Sequence, residues 1–520
     1  MPTESAAAPD ADPSPPAGLS GAVGPATTPA SAPFGSAVSP LVAAPLGAAP
    51  RVGALDVLRG AAILMMVLSG IQPYGPASAL PAWMYHAQVP PPAHVFDPAL
   101  PGITWVDLVF PFFLFAMGAA IPLATAARRR RGATTGALVR ETLVRGGLLL
   151  AFAIVVQHVR PSVLGGSFEA PAWAWGVGLL GWALLWGAYA RLPDAWPTSW
   201  RRGARALGWI GLAALLAVVR YPDGSGFRVG RYDIILVVLA NMAAFGGLVY
   251  VATARRPAAR YAVLALLAAA ILAGREDGWV KPVMSATVAE GLFRPYYLKY
   301  LLLVLPGTLA GEAFLARGAA AVKTWTAAPA GTAAALALLG PLVTVVATAG
   351  LFTRDVAAAG AICTALVGIG LWMARRAEGP ADADGRAGLV TWLWAMGGAW
   401  LLLGFVAEPF EGGIKKDAST FSYYFVTGGL AHLLLASLTA AAERFGVRLP
   451  LLAANGQNPM LAYVSLHNAV LPVLAVAGLY AWMVRMTPTP WAGFARGAFL
   501  TLLTALLVAA FTRRRWFWRT

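Results

Sequence analysis

From residue 51 onward the chain alternates apolar runs with short polar or Pro/Gly-rich interruptions, and most of the runs reach the roughly 20 residues that a helix needs to cross a bilayer. Spans are predicted over about 54–71, 104–126, 141–159, 171–190, 204–220, 232–252, 260–273, 297–316, 328–350, 355–375, 388–407, 420–442, 455–483 and 492–512. Several of these are short or re-entrant, so the expected fold is an all-α, polytopic transmembrane helix bundle of about 11–14 spans. Backbone groups left unpaired in hydrocarbon cost too much for any open structure, and the alternation of a membrane β-barrel is absent.

Composition agrees: of 520 residues 58% are hydrophobic and 12% charged, with a mean hydropathy of +0.66. Residues 1–50 are rich in Ala, Pro, Ser and Gly and carry no Lys or Arg. They lack both the basic start of a signal peptide and the apolar content of a core, and are expected to form a disordered tail ahead of one membrane domain, 51–520.

The net charge of +16 does not point to nucleic acid, because the basic residues alternate with the spans. Clusters such as Arg128–Arg131, Arg201, Arg202, Arg205, Arg375, Arg376 and Arg513–Arg515 share one side if the N-terminus is cytosolic, which predicts an N-in, C-in topology. The longest polar stretches, 72–103, 220–231, 274–296 and 408–419, then fall together on the outer face. The lone Cys363 excludes an intrachain disulfide, and no phosphate loop or zinc motif is present, so no metal is expected.

Only five histidines occur, and two of them, His86 and His94, stand in a proline-studded loop immediately before the run WVDLVFPFFLFAMGAAIPL. Imidazole can take a proton from an attacking amine or hydroxyl near neutral pH, or carry an acyl group itself; an exposed loop histidine without a role is the plain alternative. Thr104 and Asp107 fit a helix-start capping pattern, and Asp107 is near enough in sequence to orient an imidazole. Pro111 is expected to bend the helix beyond them.

At the other end of the first helix, Asp56 and Arg59 pair across one turn, either as a topology anchor or as an anion site. Asn458, Ser465, His467 and Asn468 make 455–483 the most polar of the spans, where such groups act as interhelical glue or as a site. Lys415, Lys416 and Asp417 read as a solvated outer cluster or a contact for an anionic saccharide.

The segments LDVLRGAAILMMVL, PAWMYHAQ, GITWVDLVFPFFLFAMGAAIPL, YLLLVLPGTLAG, DASTFSYYF and NGQNPMLAYVSLHN together resemble the bacterial branch of the heparan-α-glucosaminide N-acetyltransferase family of membrane acyltransferases. That resemblance implies transfer of an acetyl group from cytosolic acetyl-CoA to an amino sugar or saccharide on the far side of a bacterial inner membrane. His86, in the dipeptide His86-Ala87, matches the family's essential histidine, with Asp107 as its orienting partner and Asn458 as an oxyanion donor. Asp56, Arg59 and Ser69 are expected on the acetyl-CoA side, Ser69 standing where the family often has an Asn. Trp83, His94, His467 and Lys415 are expected to meet the acceptor. Membrane lipid and a homodimer complete the expected partners, with no nucleic acid. An O-acetyltransferase of a cell-envelope polysaccharide, and a saccharide transporter or flippase without catalysis, are the competing readings.

Overall fold

A computed structural model describes residues 52–75, 79–167, 169–254, 256–380 and 387–519; the expected tail, 1–50, lies outside them. The helices are α1 Gly53–Ser69, α2 Trp105–Arg130, α3 Thr135–His158, α4 Pro161–Gly165, α5 Ala172–Tyr189, α6 Thr198–Val218, α7 Ile234–Thr253, α8 Pro257–Ala273, α9 Val280–Ser285 and α10 Leu301–Ala327. They continue with α11 Ala330–Thr353, α12 Val356–Glu378, α13 Leu389–Ala407, α14 Phe421–Phe445, α15 Pro450–Gln457, α16 Pro459–Ser465, α17 Leu471–Val476, α18 Leu479–Met486 and α19 Pro490–Arg513.

Every predicted span falls on helix. Among the described residues nine helical segments are long and apolar enough to cross a membrane: α2, α7, α10 with the turn before it, α11 to α14, Pro459–Val476 and α19. This is a multi-pass membrane protein. The helices α1, α3, α5, α6 and α8 fall outside that set: α1 and α8 have 17 residues each, and α3 carries Arg140, Glu141 and Arg145. The predicted span 455–483 is not continuous either: Asn458 separates α15 from α16, a π-helical turn over Leu466–Val470 follows, and Gly478 in the left-handed region precedes α18.

Small residues let the inner helices touch backbone to backbone. A Cβ on Gly60 would lie 1.8 Å from the Leu452 carbonyl oxygen, and one on Gly456 would lie 1.9 Å from that of Asp56, which locks α1 against α15. Gly307 and Gly311 of α10 and Gly118 of α2 do the same, each within 2.3 Å of a backbone oxygen on the facing helix. In α2, 83% of the apolar window is buried, against 22% in α12, so α2 runs through the centre and α12 along the rim.

Hydrogen bonds and ion pairs join all four polar stretches predicted for the outer face. Gly102 N–H donates to Ile414 O (2.8 Å), Arg275 pairs with Glu411 (3.4 Å), and Gly230 N–H donates to Glu290 (2.8 Å). At the opposite end the chain terminus folds back. A two-residue antiparallel pairing joins Ala190–Arg191 (β1) to Phe517–Trp518 (β2), an element with no signal in the hydrophobic pattern.

Candidate functional site

The loop before α2 is tied down from within. Tyr85 OH donates to Pro73 O (2.7 Å) and accepts from Leu80 N–H (3.0 Å), while the Gln72 amide donates to Met84 O (2.9 Å). Thr104 then starts α2 with the predicted capping box, and its hydroxyl also donates to Tyr85 O (2.5 Å).

The carboxylate of Asp107 serves two purposes at once. Its Oδ2 accepts from Thr104 N–H (2.9 Å) and Ala87 N–H (3.2 Å), while the Thr104 hydroxyl gives its one proton to Tyr85 O. Its Oδ1 is thereby turned to His86 Nδ1, at 2.6 Å. A carboxylate only accepts, so Nδ1 carries the proton and the lone pair of a neutral His86 lies on Nε2. Asp107 is 2% exposed while the imidazole is 32% exposed, so the acid is sheltered and the base accessible. Pro111 lacks the N–H that would bond the Asp107 carbonyl one turn back. Tyr423 OH of α14 supplies the missing donor at 2.8 Å.

The third ionisable group at this site is Lys416. Its Nζ lies 3.0 Å from His86 Nδ1, 3.3 Å from Nε2 and 3.8 Å from Asp107 Oδ1. Since Nδ1–H is committed to Asp107, the ammonium can donate only towards Nε2. Burial lowers the Lys416 pKa below the ordinary lysine value, against the opposing pull of Asp107 and Asp417. Gln88 fixes the lysine loop by accepting from Asp417 N–H (2.9 Å) and donating to Asp417 O. The expected contact was Lys415, one residue away. Its backbone instead closes a turn with Thr420, and it lines no part of the chamber.

His86 and Lys416 open on a chamber of about 300 Å³ that Ser69, Tyr74, Arg160 and His467 also line. Arg160 donates to Asp233 (3.0 Å), which also accepts from Tyr463 OH (2.8 Å). His467 reaches the wall from the π-helical turn, whose extra residue rotates the side chains that follow it. A second chamber, of about 220 Å³, is lined by Arg59, Arg145, Trp518 and Arg519. Met66, Phe110, Ile235 and Tyr463 line both chambers, so a single layer of side chains separates them. Arg59 and Ser69 stand ten residues apart on α1, about 15 Å of helix, which sets the separation of the two ends.

Other expected residues are elsewhere. Asn458 is fully buried and its amide is committed: it donates to Trp516 O (2.9 Å) and accepts from Trp518 N–H (3.0 Å). It clamps the C-terminal strand and lines neither chamber, which corrects the oxyanion assignment. His94 packs its ring on Tyr85 and Tyr74, with centroids 4.5 and 5.1 Å apart, and stands behind the chamber wall. Trp83 is half exposed and outside the chamber. Asp56 lies 3.9 Å from Arg59, whose guanidinium also donates to Gly456 O (3.0 Å). The sequence reasoning missed Lys416 as a partner of His86, and it missed Arg160, Asp233 and Tyr463 altogether.

The family profile of DUF5009, a domain of unknown function, matches residues 51–314, just over half of the chain. The chain belongs to this family. No curated protein matches it. The matched region holds His86, Asp107, Arg59 and Arg160, while Lys416, Tyr463, His467 and Arg519 are contributed by the part beyond it.

Proposed function

We propose that this protein is a membrane acyltransferase that takes an acetyl group from acetyl-CoA at one face and delivers it to an amino sugar or other saccharide at the other, in a bacterial cytoplasmic membrane. The observation that carries the reading is the pair of chambers separated by one layer of side chains, with an oriented imidazole at one end and arginines at the other. Lined largely by apolar side chains, the inner chamber suits the narrow arm of a thioester donor. The sequence resemblance to the heparan-α-glucosaminide N-acetyltransferases supports the same assignment.

In this mechanism the acceptor's nitrogen or oxygen attacks the thioester carbonyl while its proton passes to His86 Nε2. Asp107 keeps the ring proton on Nδ1 and stabilises the imidazolium. In this reading the Lys416 ammonium turns off Nε2 as the acceptor arrives, freeing that lone pair, and meets the oxygen of the tetrahedral intermediate, the part expected of Asn458. When the C–S bond breaks, the Nε2 proton goes to the departing sulfur and the imidazole is neutral again. Arg160 and His467, which line the same chamber, orient the acceptor hydroxyls in this reading.

The test is transfer of labelled acetyl from acetyl-CoA to a glucosamine-ended acceptor by purified protein in lipid vesicles, comparing wild type with His86→Ala. A loss of at least a hundredfold, with correct insertion, is expected. Equal transfer by the variant overturns the assignment. Mass spectrometry of the product distinguishes an amide from an ester.

A further inference from the structure

A further cavity of the described structure lies at the end away from His86. It measures about 750 Å³ and is bounded by α5, α6 and the C-terminal strand. Arg191, Arg201, Arg202, Arg205 and Arg519 line it, against a single carboxylate, Asp194. Asp194 pairs with Arg201 at 2.9 Å and stands 3.9 Å from Arg191. Arg202 and Arg205 follow at i and i+3 on α6, exposed and without an acidic partner among the described residues. Like charges one helical turn apart repel, so this arrangement is relieved by an anion seated between them.

Two features make the cavity more than a basic membrane edge. Trp209 and Tyr189, with centroids 5.2 Å apart, form an aromatic wall beside the guanidinium groups. Arg519 lines both this cavity and the inner chamber, so the two lie on either side of one side chain. The β1–β2 pairing and the Asn458 clamp hold that arginine in place.

We propose that this cavity is a phosphate-ester site, and that it holds the phosphorylated nucleotide end of the acyl donor while the donor's arm runs through the inner chamber towards His86. Planar guanidinium forks match phosphate oxygens two at a time, and the aromatic wall offers a face to a planar base. The nearness of the inner chamber, across Arg519, favours a soluble donor over an anionic lipid headgroup, which would present the same phosphate chemistry. The proposal rests on the acyltransfer reading for its choice of ligand. It also moves the phosphates away from Arg59, whose guanidinium is engaged by Gly456 O and Asp56.

The experiment uses full-length protein in phosphatidylcholine nanodiscs, titrated calorimetrically with adenosine 3′,5′-bisphosphate, a probe with neither thioester nor acyl group. Binding that weakens at least tenfold in Arg202→Gln/Arg205→Gln, weakens less in the double Lys variant, and falls with added salt supports the site. His86→Ala is expected to bind as wild type. Absence of binding by wild type, or equal binding by the Gln variant, overturns the proposal and leaves the His86 chemistry to its own test. In nanodiscs containing phosphatidylglycerol, native mass spectrometry identifies retained lipid. Retention that depends on Arg202 and Arg205, with no competition from the bisphosphate, supports the phosphate chemistry but assigns it to lipid and overturns the donor assignment.

Discussion

Replacing Asp107 with Asn tests the orientation of His86 with little change of shape. Two donors, Thr104 N–H and Ala87 N–H, converge on Oδ2. In the variant the amide's single oxygen has to satisfy them, which turns its NH₂ group towards His86 Nδ1. That nitrogen must then accept, so the ring proton moves to Nε2 and the base loses its lone pair. The lost charge-assisted hydrogen bond alone is worth about 1.5–3 kcal/mol, or roughly ten- to a hundredfold in rate. A wrong tautomer of this kind costs about 10⁴ in a serine protease triad. Asp107→Asn is therefore expected to lower kcat by about 10² to 10⁴, with KM little changed and the capping bonds kept. The assay is acetyl transfer in vesicles, alongside thermal unfolding of the same preparation. Transfer within about threefold of wild type by a folded variant refutes the orienting role.

Met66→Trp, filling the layer between the chambers, is expected to reduce transfer at least tenfold while adenosine 3′,5′-bisphosphate still binds; normal transfer would show that no passage runs there. Lys416 has its folded-state pKa lowered, so between that value and the unfolded one the unfolded chain binds more protons. The stability of wild type relative to Lys416→Met should accordingly rise as pH is raised towards about 10.4, read as the difference in thermal midpoints. A flat or falling difference contradicts the burial of that ammonium. Tyr423→Phe removes the donor to the carbonyl that Pro111 leaves free, and should cost about 1 kcal/mol, less when combined with Pro111→Ala, which restores a backbone donor. Equal costs in the two backgrounds would separate the tyrosine from the proline.

The membrane helices were legible because apolar length is a local property, and so was the His86–Asp107 pair, since Asp107 lies at a helix start only a short loop away. What failed depended on distant partners or on direction. Asn458 looks like a site residue because it is polar and breaks a helix, yet its partners are Trp516 and Trp518, brought back by a two-residue strand. Lys416 and Lys415 are equivalent in composition, and only the turn closed by Thr420 decides which of them faces the imidazole. The predicted spans that carry charges, such as α3, are helical but exceed what apolar length can certify, because Arg145 opens into a chamber instead of lipid. The arginines of α6 read as topology signals, and their gathering around Trp209 needed the fold to appear.

The central claim is that the thioester and the acceptor meet at His86 from opposite faces. Its most direct test uses sealed vesicles of known orientation, with labelled acetyl-CoA confined to the Arg59 face and an impermeant amino-sugar acceptor confined to the His86 face. The account predicts labelled acceptor in that arrangement, none with the two reagents exchanged, and none with His86→Ala. Label appearing only when both reagents share one face would contradict it.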